Sequence, residues 1–182
     1  PGSALWEVLE KSHDLGLSLT AMAEMDPVER VRILAIASEE LAWGDAGLAG
    51  AILVNHFPVM YSMLAGNMAM ADFCDGKRGC WAITEPDHGS DMLDASGSLQ
   101  ATEGQYGRPN CIARIEGDKV VISGQKSAWV SGAMTAEVCA LFCHAEVDGQ
   151  TRPGVAVIVS LDAPGVSRGK PLDKMGMRCL NQ

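Results

Sequence analysis

The chain has 182 residues, of which 47% are hydrophobic and 20% charged, a balance that lets one domain or two small ones bury a sizeable core. A formal net charge of −9 and a pI near 4.8 exclude a broad electrostatic footprint for nucleic acid. They leave room for an anionic ligand, because local backbone N–H groups hold phosphate without a basic surface.

The first part of the chain carries helical periodicity. Trp6, Val8 and Leu9 mark a short amphipathic segment. No basic stretch followed by an apolar core and a cleavage site opens the chain, so no signal peptide is expected. Asp26-Pro27-Val28-Glu29 is a helix start: Asp26 suits the cap, Pro27 the first helical position, and Glu29 a capping box. Val28, Val31, Leu34, Ala35, Ser38, Leu41 and Ala42 then fall on one face, and Gly44-Asp45 ends the helix. From Ala46 to Ala71 there is no charged side chain, a length that reaches across a bilayer. Asn55, His56, Pro58 and Asn67 interrupt it, Gly47, Gly50, Ser62 and Gly66 dilute it, and no Lys/Arg flank marks a cytoplasmic end. No membrane span is expected there; the pattern is that of a helix buried on all sides, bent at Pro58. A third helical piece runs from Asn67 to Cys74, and Asp75-Gly76 stops it.

From Gly79 onward the runs become short, β-branched and bounded by Gly, Asp and Pro. The pattern predicts strands at Cys80–Thr84, Cys111–Glu116, Lys119–Ser123, Ser127–Val130, Glu137–His144, Val155–Leu161 and Val166–Gly169. Gly117-Asp118 joins two of them as a tight turn, and Gly104–Asn110 is a loop. The expected fold class is α+β: an N-terminal helical domain over residues 1–78, then a β-barrel-like middle domain over 79–182.

Six cysteines, at positions 74, 80, 111, 139, 143 and 179, form no C-x-x-C pair. Several sit inside apolar runs, as small buried hydrophobes do, so reduced thiols in a cytoplasmic setting are expected rather than a disulfide framework. Cys139, Cys143 and His144 raise the question of a metal. Their alternation with Ala140 and Phe142 is that of strand residues, and no metal site is assigned.

Two stretches offer chemistry. In Cys80–Met92, CWAITEPDHGSDM, an apolar strand stops at the Thr84 hydroxyl; Pro86 and Gly89 turn the chain, and Ser90 offers a hydroxyl and an N–H suited to an anionic oxygen. Standing alone, that stretch is more simply a strand followed by a polar turn. In Gly124–Ala133, GQKSAWVSGA, Trp129 and Ser131 lie two apart and would share a strand face, a large ring beside a hydroxyl. Alone, a core Trp and an exposed Ser are the simpler account.

Together the two stretches resemble the acyl-CoA dehydrogenase family of flavoproteins. Thr84-Glu85-Pro86-Asp87-His88-Gly89-Ser90-Asp91 matches its TEP-x-x-GSD pattern, and Gly124, Lys126, Trp129 and Ser131 its later G-x-K…W-x-[ST] pattern, with the Trp one residue further from Lys126 than is usual. Asp173-Lys174-Met175-Gly176-Met177-Arg178 looks like its DK-x-G-x-R segment, followed here by Cys179-Leu180 rather than Gly-Ser. The resemblance implies FAD held beside an acyl-CoA thioester or related small molecule. Trp81, Ile83 and Thr84 would line the isoalloxazine, Gly89 and Ser90 would approach the pyrophosphate, and Trp129 and Ser131 would flank the flavin. It further implies α,β-dehydrogenation in fatty acid metabolism with hydride transfer to flavin N5, a homo-oligomer at full length, and an electron acceptor the sequence does not name. The general base, usually a Glu from a C-terminal helical bundle, is expected outside this chain, which would then be a fragment inactive on its own. Glu85, followed at once by Pro86, reads as a turn or cap contact, and His88 and His56 as loop and core polar residues. A same-fold acyl-CoA oxidase or flavin monooxygenase, or a non-catalytic partner subunit, are the alternatives.

Overall fold

The computed structural model describes residues 4–89, 110–127 and 130–181. Five helices come first: α1 (Ala4–Asp14), α2 (Pro27–Gly44), α3 (Ala46–Asn55), α4 (Phe57–Leu64) and α5 (Met68–Cys74). Five strands follow: β1 (Gly79–Ala82), β2 (Ile112–Glu116), β3 (Lys119–Ser123), β4 (Val138–Val147) and β5 (Gln150–Ser160). The α+β order read from the sequence is the order observed.

Short polar side chains set the helix ends. Asp26 accepts from the backbone N–H groups of Val28 (2.9 Å) and Glu29 (3.2 Å), satisfying donors that have no partner within α2. Asp45 serves two helices. Its N–H closes α2 on the Leu41 carbonyl at 3.1 Å, while its carboxylate accepts from Leu48 N at 2.7 Å and opens α3. Asn67 caps α5 through Met70 N at 3.0 Å.

The uncharged segment differs from the single bent helix expected of it. Ala46–Leu64 has the length and apolar composition of a membrane span, and the structure folds it as α3 and α4, joined through His56. Pro58 lies in the first turn of α4, where its missing N–H costs nothing, so the chain stops and restarts rather than bending around it. Ala51, Ile52, Val54, Val59 and Ser62 are buried against the rest of the fold.

β4 is the hub of the sheet. The first half of one edge pairs parallel with β1, Gly79 to Ala82 opposite Val138 to Leu141. The second half pairs parallel with β2, Ile112 to Ile115 opposite His144 to Val147. β5 pairs antiparallel along the other edge, with a register shift between His144 and Ala145. β3 adds to β2 as an antiparallel hairpin. A strand paired on both edges and covered on both faces reads as a near-continuous apolar run, as VCALFCHAEV does.

Alternation along β4 divides the core. Cys139, Leu141 and Cys143 join Cys80, Ala82, Cys111, Ala113 and Ala136 on one face. On the other, Val138 packs with Val59, Ala71 and Cys74 from the helices. A third cluster joins Leu9, Ala51, Ile52 and Val54 to Leu180, so the end of the described chain folds back on α1 and α3.

Strand limits depart from the sequence reading in specific places. β4 runs on to Val147 and β5 starts at Gln150, because Asp148 (φ 52) and Gly149 (φ 73) form a tight primed turn between them. Of the strand expected at Ser127–Val130, the two described residues, Ser127 and Val130, are not in a strand: the Ser127 N–H donates to the Thr84 carbonyl at 3.0 Å, and Gly124 turns the chain at φ 126. Val166–Gly169 is also irregular. Arg168 holds that segment by donating to the carbonyls of Ala133 (3.1 Å) and Ala136 (2.8 Å), so a side chain takes the place of a ladder.

Candidate functional site

The strand β1 delivers Trp81 between two small residues of opposite direction. Cys80 and Ala82 enter the cysteine-rich core; Trp81 turns toward the helices. Its ring meets Phe57 edge-on at 4.7 Å and Phe142 at 6.3 Å, and Tyr61 meets Phe142 at 4.9 Å. Trp81 Nε1 is buried and has no hydrogen-bond partner within the described residues. A buried indole N–H usually has one, so this donor stands out in the fold.

Past β1 the chain leaves the sheet at Ile83 and Thr84, both half-buried. A turn follows at Pro86-Asp87, with Glu85 N donating to His88 O at 2.8 Å. The Glu85 carboxylate points inward and is fully buried. It accepts from Asn110 N, from Cys111 N at 3.1 Å and from Lys126 Nζ at 2.8 Å. Lys126 Nζ also donates to the Ile83 carbonyl at 2.8 Å. The two stretches singled out in the sequence are thus joined. Ile83, Thr84 and Glu85 lie against Lys126 and Ser127, and Ser131 opens the run of turns that follows. Gly89 is exposed, with open space where a Cβ would stand. Ser90 and Trp129 lie outside the described residues. The shared strand face expected for Trp129 and Ser131 therefore falls outside the described residues.

The DK-x-G-x-R segment closes on itself and on its neighbours. Arg178 Nη2 meets Asp173 at 3.0 Å, and Lys174 Nζ donates to the Leu180 carbonyl. Asn181 then ties down the turn after Val130, its carbonyl accepting from Gly132 N at 2.9 Å and its Oδ1 from Met134 N at 3.1 Å.

A cavity of about 640 Å³ lies on the other face of β1, against Cys80 and Ala82, with Lys126, Arg168 and Lys170 on its wall. Trp81, Ile83, Thr84, Gly89 and Ser131 do not line it. Trp81 and this cavity are on different sides of β1, and Lys126 and Ser127, which bond to the Ile83 and Thr84 carbonyls, border the cavity.

The thiols respond to their neighbours. Cys143 is pushed far up, first by its hydrogen bond with Cys111 and then by burial; the same bond brings Cys111 down. The bond with Cys80, with burial second, raises Cys139. All six thiols are unpaired. Burial lowers His144, with Glu85 opposing and Lys126 and His88 reinforcing. Among the described residues there is no group of three or more His, Cys, Asp or Glu side chains able to hold a metal.

Two structural anchors escaped the sequence reading. Asn55 Oδ1 accepts from Gly79 N at 3.1 Å and pins β1 to the end of α3; an amide inside an uncharged apolar run was the signal. Asn110 Oδ1 accepts from Gln125 N, a contact no local pattern announces.

The described fold and motifs agree with the comparisons to known proteins. The family model for the middle domain of acyl-CoA dehydrogenases matches residues 80–182. The chain belongs to the acyl-CoA dehydrogenase family. It is 30% identical over 151 residues to human mitochondrial short-chain specific acyl-CoA dehydrogenase, covering 79% of this chain and 33% of that protein. Glutaryl-CoA dehydrogenase from Mycobacterium smegmatis has a solved structure that superposes with TM-score 0.69 at 25% identity, over 97% of this chain and 43% of its own. A structure of a glutaryl-CoA dehydrogenase from the same organism in complex with FADH2 superposes with TM-score 0.67 over 96% of this chain and 42% of its own; at 21% identity that likeness is one of fold. The chain spans about a third of the length of the curated relatives it matches.

Proposed function

We propose that these residues form the flavin-facing part of an FAD-dependent oxidoreductase that dehydrogenates an acyl-CoA thioester between its α and β carbons. One observation carries the reading: the two motif stretches meet in the fold, with Ser127 N donating to the Thr84 carbonyl at 3.0 Å and Lys126 Nζ bonded to the Ile83 carbonyl and the Glu85 carboxylate at 2.8 Å each. Family membership and the fold likeness to a protein solved with FADH2 support it. Trp81, Ile83, Thr84 and Ser131 would contact the isoalloxazine together with Trp129, and Gly89 and Ser90 the pyrophosphate. When bound, FAD supplies the acceptor for a hydride from the substrate β carbon. The chain's own work is to hold that surface rigid, to exclude water with the Phe57–Trp81–Phe142 cluster, and to offer hydrogen bonds that tune the flavin's polar edge.

Proton removal is assigned to a base outside these residues. Glu85 is buried with its oxygens bonded to two amides and an ammonium, all distant in sequence; in place of the turn or cap contact expected of it, its carboxylate makes a long-range ion pair and is not offered as the base. A homo-oligomer at full length and a reducing, cytoplasmic setting complete the proposal; five buried thiols suit such a compartment.

FAD titration, followed by flavin absorbance and fluorescence, tests the reading. Saturable binding that weakens in Thr84→Val and Trp81→Phe is the expected result. Flavin fluorescence left unchanged by the wild-type chain, both alone and extended to the length of its relatives, overturns it.

A further inference from the structure

Three stretches far apart in sequence, 83–85, 110–111 and 124–127, converge on one carboxylate. The Glu85 side chain has 0% and Lys126 7% of its surface exposed, and their charged atoms are 2.8 Å apart. Each partner is tied more than once. Glu85 also accepts from the Asn110 and Cys111 amides, and Lys126 also donates to the Ile83 carbonyl. The backbone repeats the link through Ser127 N to Thr84 O at 3.0 Å. Gly124 packs so closely on Asn110 that a Cβ would stand 2.1 Å from its carbonyl oxygen, so the 110–111 and 124–127 stretches meet backbone to backbone.

A buried ion pair is a poor way to gain stability, because desolvating two charges offsets most of their attraction. It is a strict way to fix geometry: every bond to the carboxylate must keep its direction or the charge is left unpaired. Lys126 is not free to bind a ligand, since its ammonium is already bonded to Glu85 and Ile83.

We propose that Glu85 and Lys126 form a positioning clasp that holds Ile83 and Thr84, just past β1, against Lys126 and Ser127, fixing the separation of these two stretches where they border the ligand surface. The consequence for flavin rests on the function proposed above; the mechanical part does not. Neither residue touches the reacting atoms, so both are positioning residues. The clasp predicts an unusual split: neutralising both partners keeps the fold and loosens the site.

The test compares the wild-type 182-residue chain with the double variant Glu85→Gln/Lys126→Met by urea unfolding, amide hydrogen exchange and FAD titration. The expected double variant still unfolds in one cooperative urea transition. Its Cys111 and Ser127 amides exchange roughly tenfold faster or more, while those of β5 keep their protection. It binds FAD about tenfold more weakly, with displaced flavin absorbance bands. Unchanged exchange at Cys111 and Ser127 overturns the clasp. Faster exchange with wild-type FAD affinity and spectrum overturns the positioning role. If the wild-type chain takes up no FAD, the flavin reading fails for it, and the exchange comparison still decides the clasp.

Discussion

Among the described residues, α2 is the longest helix and β4 one of the two longest strands, and they live by different rules. No residue of α2 is buried, and Val31, Ile36 and Trp43 are 65%, 61% and 92% exposed. β4 is buried along most of its length, with neighbours on both edges and both faces. Caps and local bonds define where α2 begins and ends, whereas β4 is defined by partners distant in sequence. Substitutions therefore report on local propensity in the first region and on long-range packing in the second.

The sharpest break in that contrast is at Glu85. Glu85→Ala leaves the Lys126 ammonium buried without its partner, and urea unfolding is expected to show a loss of about 3–5 kcal/mol. Leu9→Ala comes next. This helical residue is only 2% exposed, packed with Ala51 and Ile52, and its truncation is expected to cost about 2–5 kcal/mol in the same assay, as a core residue of the sheet would. Gly79→Ala tests the seam between the regions. The added Cβ would stand 2.4 Å from the Asn55 carbonyl and 2.7 Å from Pro58, and the forced separation of β1 from the α3–α4 junction is expected to cost roughly 1–3 kcal/mol.

The helical seam also titrates. Burial, reinforced by His13 and opposed by Asp75, holds His56 below its ordinary value of 6.5. The unfolded chain therefore takes up the proton first as pH falls below about 6.5, so stability is complete above that value and declines beneath it until the lower folded value is passed. His144, lowered by burial in the sheet, acts in the same direction. Thermal unfolding from pH 7 to 5 is expected to show a shallower decline in His56→Gln than in the wild type; an identical decline would mean His56 does not contribute. The smallest effect is expected on the outer face of α2, where Ile36→Ala changes stability by about 0.5 kcal/mol or less, as most exposed substitutions do.

What the sequence disclosed follows the same division. Asp26 and Asn67 announce their helices because a cap acts within three residues, and β3 was legible at Lys119–Ser123 because its turn and alternation are local. The Asp148-Gly149 turn, which the sequence reading did not single out, joins β4 and β5 into one long hairpin. Parallel pairing of β1 and β2 on a single edge of β4 left no local mark. The site divides likewise. Thr84-Glu85-Pro86 declared a strand end and a turn, but the partners of Glu85 at Asn110, Cys111 and Lys126 are brought in by the fold alone.

The position of β4 also orders the chain's assembly in time. Residues 83 to 137 separate β1 from its partner, so a growing chain carries Gly79–Ala82 with that hydrogen-bonding edge unmet until β4 has been made. β2 waits for the same strand, with only the β3 hairpin for company. Ribosome-held chains arrested before Val147 would present two sticky strands to their neighbours, and chaperone demand during synthesis should fall steeply once the β4–β5 hairpin has emerged.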